Sequence, residues 1–380
     1  MESKLELIIC GDICPTTDTE ASFKEGLPAL LFNNILPVFE KADYVMGNLE
    51  FVLTDTPKAI DKAGPILYGA TNYIDIIKKA GFNGLSLANN HIKDCGEAGV
   101  KTTLETCRNH NLDVFGAGAN LNEAKIPLIK VINGVKIGFI AFAEQEFNCA
   151  SDNAYGANFF DPYEDLDLIT EVKNKVDCLI VIYHGGVEYY EYPSPLLQKK
   201  CRKFIDKGAD FVTCQHSHCI GTLEAYEGKK ILYGQGNTLF GYREDNTSWN
   251  EGLLVKLNLI KKEGELRIDT TLIPIHAINK GIKLLDTAEA KQLIDNLQER
   301  SLKVLDKDFI QASWEAFCEQ KKWLYIPWLF GFNRYFIHLN RILKHKVVKL
   351  FYRKKQRATS LNIIRCEAHN EVIQELLKEK

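Results

Sequence analysis

The sequence predicts an α/β protein of two packed sheets with helices outside them, followed by a helical extension. Three observations predict it. Short apolar runs of β-branched character alternate with helical patterns through the first half of the chain. Later strand-like runs follow one another without clear helices between them, and after about Ile278 the pattern turns helical and then strongly basic.

In chain order, Leu5–Cys10, Tyr44–Met46, Gly84–Ala88, Val114–Gly116, Cys178–Tyr183 and Phe211–Cys214 read as buried strands. Ile74–Ala80, Gly99–His110 and Pro195–Lys207 carry helical periodicity, the last closed by Gly208. Strand and helix in alternation imply βαβ crossovers. From Val131 to Phe142 the pattern differs, with Asn133-Gly134 between two strand-like runs, the signature of a type I′ hairpin. Lys230–Tyr233, Leu253–Ile260 and Leu266–Ile273 lack intervening helices and imply a second, largely antiparallel sheet. Helices are then expected at Ala288–Leu305 and Phe309–Trp323. A further one from Phe332 repeats Tyr335, Phe336, Leu339, Ile342, Leu343, Val347 and Leu350 at helical spacing, with basic residues between them. The predicted division is a catalytic domain over 1–277 and a basic helical extension over 278–380.

The chain has 380 residues, 46% hydrophobic and 26% charged, which is ordinary globular composition. No apolar run approaches the roughly 20 residues that span a bilayer. The N-terminus leads straight from Met-Glu-Ser-Lys into the first strand, so a cytoplasmic protein is expected, peripheral at most to the inner membrane leaflet. Eleven cysteines without a paired framework fit reduced thiols. The net charge of −3 hides an asymmetry: twelve of the 47 basic residues lie between Gln320 and Cys366, where there is no Asp or Glu, leaving the rest of the chain acidic. Over 321–357 this favours either docking of the apolar face on the protein's own catalytic domain or peripheral contact with an anionic membrane, aided by Trp323, Tyr325 and Trp328. The acidic remainder argues against nucleic acid as a partner.

The chemistry gathers at strand ends. Asp12 follows the first apolar run, Glu50 ends Gly47-Asn48-Leu49-Glu50, Asn90 and His91 end Leu87-Ala88-Asn89-Asn90-His91, and His184 ends Leu179-Ile-Val-Ile-Tyr183. His216 and His218 close the run that begins at Asp210. Each residue alone has a plain structural use as a turn, a cap or a satisfied core histidine. Together, carboxylate, amide and imidazole at one sheet edge suit a pair of divalent ions, with Mn²⁺, Zn²⁺ or Fe²⁺ all accommodated.

Residues 184–240 carry His184-Gly-Gly-Val-Glu-Tyr, Tyr192-Pro193-Ser-Pro195, Lys207-Gly208-Ala209-Asp210, Gln215-His216-Ser-His218, Glu224-Ala-Tyr226 and Tyr233-Gly-Gln-Gly236-Asn237-Thr-Leu-Phe240. With Gly11-Asp12, the Glu50 motif and Leu87-Ala-Asn-Asn-His-Ile-Lys-Asp94-Cys-Gly96, these closely resemble the CapA family of poly-γ-glutamate capsule biosynthesis proteins, over about residues 5–275. That family is similar to calcineurin-type metallophosphoesterases, which implies a four-layer α/β/β/α sandwich with a dinuclear site. By this resemblance Asp12 and His218 hold one metal, Asn90, His184 and His216 the other, and Glu50 bridges. His91 is left for acid–base work, with Asp94 orienting it and Glu188 placed to receive an amide proton. Asn48, Tyr189 and Asn237 fall to substrate. Cys14 stands where active phosphoesterases carry His, and Gln215 and Ser217 depart from the family phrase Gly-His-His-Pro-His. The implied substrate is a phosphoester or a γ-glutamyl amide in an anionic polymer. A non-catalytic accessory role in a polymer synthase complex and a nucleic-acid phosphodiesterase are the alternatives.

Overall fold

In a computed structural model, which describes residues 2–377, the chain divides into two compact units, one ending at Gln311 and the other beginning at Ala312. The first contains two mixed sheets. From edge to edge the larger runs Gly281–Leu284, Glu265–Ile278, Glu251–Lys262, Glu2–Ile13, Tyr44–Leu49, Gly84–Ser86 and Asp113–Phe115, with Asn237–Leu239 paired in parallel to the end of Glu2–Ile13. The smaller runs Leu223–Tyr226, Lys229–Leu232, Phe211–Gln215, Cys178–His184, Val135–Ala143 and Leu128–Ile132.

Alternation along the strands builds the layers. In the strand Val135–Ala143, Ile137, Phe139 and Ala141 face the first sheet, where Phe139 meets the rings of Tyr44 at 5.9 Å and Phe115 at 6.0 Å. Ile140 and Phe142 face outward and join Leu179, Val181 and Val212 beneath the helices Asp165–Lys173 and Pro195–Asp206, through Ile169, Val172, Cys201 and Phe204. Phe23, Phe32, Phe39, Ile74 and Ile77 from the early helices cover the first sheet. The result is the four-layer α/β/β/α sandwich. The hairpin at Asn133-Gly134 forms as expected, with φ of 50° and 78° at the two turn residues.

The later strands correct one expectation. Glu251–Lys262 and Glu265–Ile278 form a long hairpin, but they extend the first sheet antiparallel to Glu2–Ile13 instead of making a separate antiparallel sheet. Lys229–Leu232 joins the second sheet, parallel to Phe211–Gln215. Local pattern fixes the hairpin, whereas the sheet edge it extends is decided by contacts hundreds of residues apart. The strand Gly281–Leu284 then pairs with the end of Glu265–Ile278, and the helix Thr287–Leu302 buries Leu293 and Leu297 in the same core, so the first unit continues past Ile278.

The second unit is helical: the long helix Lys307–Leu329 enters it and is followed by Arg334–Ile342, Lys346–Phe351, Lys354–Arg365 and Glu367–Leu377. The single amphipathic helix expected from Phe332 is broken after Ile342, where Lys344 and His345 take φ of 51° and 61°. No helix among the described residues is long and apolar enough to cross a membrane.

Candidate metal centre

Parallel strands of both sheets end at one edge, and the predicted residues meet there. Asp12 lies in register between Asn48 on one neighbouring strand and Asn237 on the other. The pairing with Tyr44–Leu49 slips between Ile9 and Asp12, and side-chain amides reach the carbonyls of this stretch: Gln235 Nε2, from the segment after Lys229–Leu232, donates to Ile9 O at 2.7 Å, and Gln215 Nε2, from the second sheet, to Cys10 O at 3.1 Å. Gln215, a departure from the family phrase, therefore pins the two sheets together beside the site. Backbones also press close here, since a Cβ on Gly11 would collide with the Gly236 carbonyl.

His216 and His218 are not a strand pair. Their strand ends at Gln215, and both histidines have positive φ, 90° and 51°, so a strained turn and not the strand period aims the rings. The His216 amide donates to Asp12 Oδ2 at 3.1 Å, which fixes the turn against the first sheet.

The polar atoms form two overlapping groups, Glu50 with His184 and His216, and Asp12 with Glu50 and His218; in each the ligand atoms lie within 4.8 Å of one another. Glu50 belongs to both. His184 Nε2 lies 3.1 Å from Asn90 Oδ1 and 3.5 Å from Glu50 Oε1, and His218 Nδ1 lies 3.9 Å from Asp12 Oδ2. Both Glu50 carboxylate oxygens and His216 Nδ1 are buried without a hydrogen-bond partner. A buried carboxylate left this way is costly unless a cation faces it. Burial, and then the neighbouring Glu50, push Asp12 up to about 7, while burial and nearby carboxylates push Glu50 well above its usual range. Burial, and then the crowding of His184, His218 and His91, hold His216 far below the imidazole range, and burial brings His218 down to about 3. Neutral imidazoles around two carboxylates that lack a counter-charge fit divalent cations.

His91 stands beside this cluster. Its Nδ1 donates to Asp94 Oδ2 at 2.7 Å, leaving Nε2 3.9 Å from Glu50 Oε1. Asp94 in turn accepts from Lys62 Nζ at 2.6 Å and from the Leu67 amide at 2.7 Å. The Lys62 and Asp94 side chains are each 1% exposed.

The three residues assigned to substrate have different places. Asn48 is fully buried: its Nδ2 donates to Asp12 Oδ1 at 2.8 Å and its Oδ1 accepts from Asn89 at 3.1 Å. Asn237 is buried as well, with Oδ1 2.9 Å from His218 Nδ1 and Nδ2 donating to Trp249 O at 3.0 Å. Both amides orient candidate ligands from within. Tyr189 alone of the three is exposed, its ring 6.5 Å from His218. Glu188 is exposed on the same segment, and its charge reaches Glu50. Cys14 is in neither group; its thiol donates to Pro15 O at 3.3 Å, and burial together with Glu50, Asp94 and Asp12 pushes it up, so it stays neutral.

Sequence reasoning missed Lys62, Trp249 and Arg243. Trp249 packs its ring 4.7 Å from His218, and the exposed Arg243 guanidinium lies 3.1 Å over Trp249 and donates to the Tyr189 hydroxyl at 3.3 Å. No strand end or ligand spacing marks these positions.

Fold and cluster together define an α/β/β/α sandwich with a carboxylate, amide and imidazole centre at the strand ends. The model of the family "Bacterial capsule synthesis protein PGA_cap" matches residues 6–242. PGA biosynthesis protein CapA of Bacillus subtilis (strain 168) is 32% identical over 296 residues, 77% of this chain and 77% of that protein. Capsule biosynthesis protein CapA of Bacillus anthracis is 27% identical over 318 residues, 80% of this chain and 71% of that one. Among solved structures, a 5'-nucleotidase precursor from Thermus thermophilus aligns with a TM-score of 0.43 and 14% identity over 80% of this chain and 60% of its own. The chain belongs to the PGA_cap family.

Proposed function

We propose that the protein is a metal-dependent hydrolase acting in the synthesis or processing of an anionic surface polymer, on a phosphoester or γ-glutamyl amide bond. The observation that carries this reading is Glu50, a wholly buried carboxylate with no hydrogen-bond partner, shared by two ligand groups. Asp12 and His218 would hold one divalent ion and Asn90, His184 and His216 the other, with Glu50 between them. Bound there, divalent ions polarise the attacked group and supply a nucleophile from water near neutral pH.

The chain's own residues do the rest. Asp94 fixes the His91 tautomer with hydrogen on Nδ1, so Nε2 faces the cluster and can exchange a proton with the leaving group. A free imidazole beside the ligands is what a purely structural metal site lacks, and it favours catalysis over an accessory role. The polymer context comes from the two Bacillus relatives, whose names describe PGA and capsule biosynthesis.

The test is elemental analysis of protein purified without chelator, for wild type and the His216→Ala/His218→Ala variant, with turnover of a phosphodiester and of a γ-glutamyl amide on the same samples. The expected result is bound metal and turnover in wild type, both lost in the variant. Absence of metal in wild type even after Mn²⁺ or Zn²⁺ is added overturns the hydrolase reading and leaves the accessory one.

A further inference from the structure

The second unit carries an apolar stripe that faces water. In the helix Arg334–Ile342, Phe336, Ile337 and Asn340 are sheltered: the Phe336 ring lies 4.0 Å from that of Phe332, and buried Asn340 accepts from the Val348 amide at 3.3 Å. Tyr335, Leu339, Ile342 and Leu343, spaced i, i+4, i+7 and i+8, are 74, 49, 64 and 41% exposed. Leu350 on the next helix and Trp328 on the preceding one are 60 and 51% exposed. Arg341, Lys344 and Lys346, all exposed, stand among them, and no acidic residue occurs between Gln320 and Cys366.

We infer that this unit docks on the anionic face of a lipid bilayer. The apolar stripe enters the acyl boundary, Arg341, Lys344 and Lys346 meet headgroup phosphates, and Trp328 suits the interface between them. The unit lies on the surface and does not cross it, since no described helix is long and apolar enough to do so. Charge selects the bilayer over the other occupants. A second copy of this chain would bring two faces of the same sign together, because the segment offers no carboxylate to pair with them. A nucleic acid would answer the charges but would leave Leu339, Ile342 and Leu343 in water.

The experiment is co-sedimentation of the full chain with vesicles of phosphatidylglycerol and phosphatidylcholine, and with phosphatidylcholine alone. Wild type is compared with Arg341→Gln/Lys344→Gln/Lys346→Gln and with Leu339→Ser/Ile342→Ser/Leu343→Ser. All six side chains are exposed, and circular dichroism checks that each variant keeps its helices. Binding to the anionic vesicles is expected, weakened by about tenfold or more in the glutamine variant and in the serine variant, with little binding to phosphatidylcholine. Three results overturn the inference: no binding to anionic vesicles, a wild-type dimer in gel filtration that the serine variant abolishes, or salt-sensitive binding to an RNA polyanion with equal vesicle binding by the serine variant. Loss of metal or turnover in the first unit leaves vesicle binding unchanged, so this inference and the hydrolase reading fail separately.

Discussion

The two units of the chain break the ordinary partition of polar and apolar groups in opposite directions. In the first, Asp12, Glu50 and four histidines are sealed at the meeting edge of two sheets. In the second, Leu, Ile, Tyr and Trp side chains face water among basic residues. A polar group without a partner inside and an apolar stripe without a cover outside are both unfavourable as they stand. On the two readings proposed above, each would be completed by something that is not protein, a cation in one case and a lipid surface in the other.

The largest effect is expected from Glu50→Gln. With metal bound, turnover is expected to fall by about 10²-fold or more, because the shared carboxylate is lost. After chelation the sign reverses: the glutamine variant, with no buried charge to compensate, should be more stable than metal-free wild type by about 1–3 kcal/mol in denaturant unfolding. Equal stability of the two metal-free proteins would mean that the Glu50 carboxylate is not waiting for a cation.

Lys62→Met comes next. It leaves Asp94 buried without its cation, so a loss of about 3–5 kcal/mol is expected in the same unfolding assay. Because Asp94 also holds His91, turnover should fall while metal content stays at the wild-type level. A variant as stable as wild type would show that the pair with Asp94 is not a buried charge pair in solution.

How much of this the sequence disclosed follows from distance along the chain. Asp12, Glu50, Asn90, His184, His216 and His218 were readable because each sits at or just past the end of an apolar strand run, and parallel strands bring such ends together. Lys62 was not readable: it lies in an irregular stretch with no periodicity and reaches Asp94 only after the fold closes. Arg243 and Trp249 are hidden for the same reason. Asn48 and Asn237 were expected at substrate, and only their hydrogen bonds to Asp12 and His218 show that they face these candidate ligands from within. In the second unit the stripe from Tyr335 to Leu343 was legible as helical spacing, whereas the break at Lys344 and His345 was not, since neither residue type announces positive φ.

Arg243→Gln probes the rim where the sealed centre opens to solvent. The exposed guanidinium stacks on Trp249 and donates to the neutral Tyr189 hydroxyl, so its charge is available to an anionic substrate. Removing it should raise KM for a charged substrate by about tenfold, the worth of one charge-assisted hydrogen bond, with metal content unchanged. An equal rise for a neutral substrate would assign Arg243 to packing on Trp249 instead.

The smallest effect is expected in the second unit. Ile342→Ser/Leu343→Ser removes apolar surface that the folded chain leaves in water, so unfolding of the protein should shift by no more than about 0.5 kcal/mol. Burial of the same side chains within the protein would instead cost about 1.5–3 kcal/mol for each when truncated to a polar residue. A measured loss of that size would show that the stripe is core, covered by the chain itself. A loss near zero, together with weakened vesicle binding, would place the stabilising partner outside the protein.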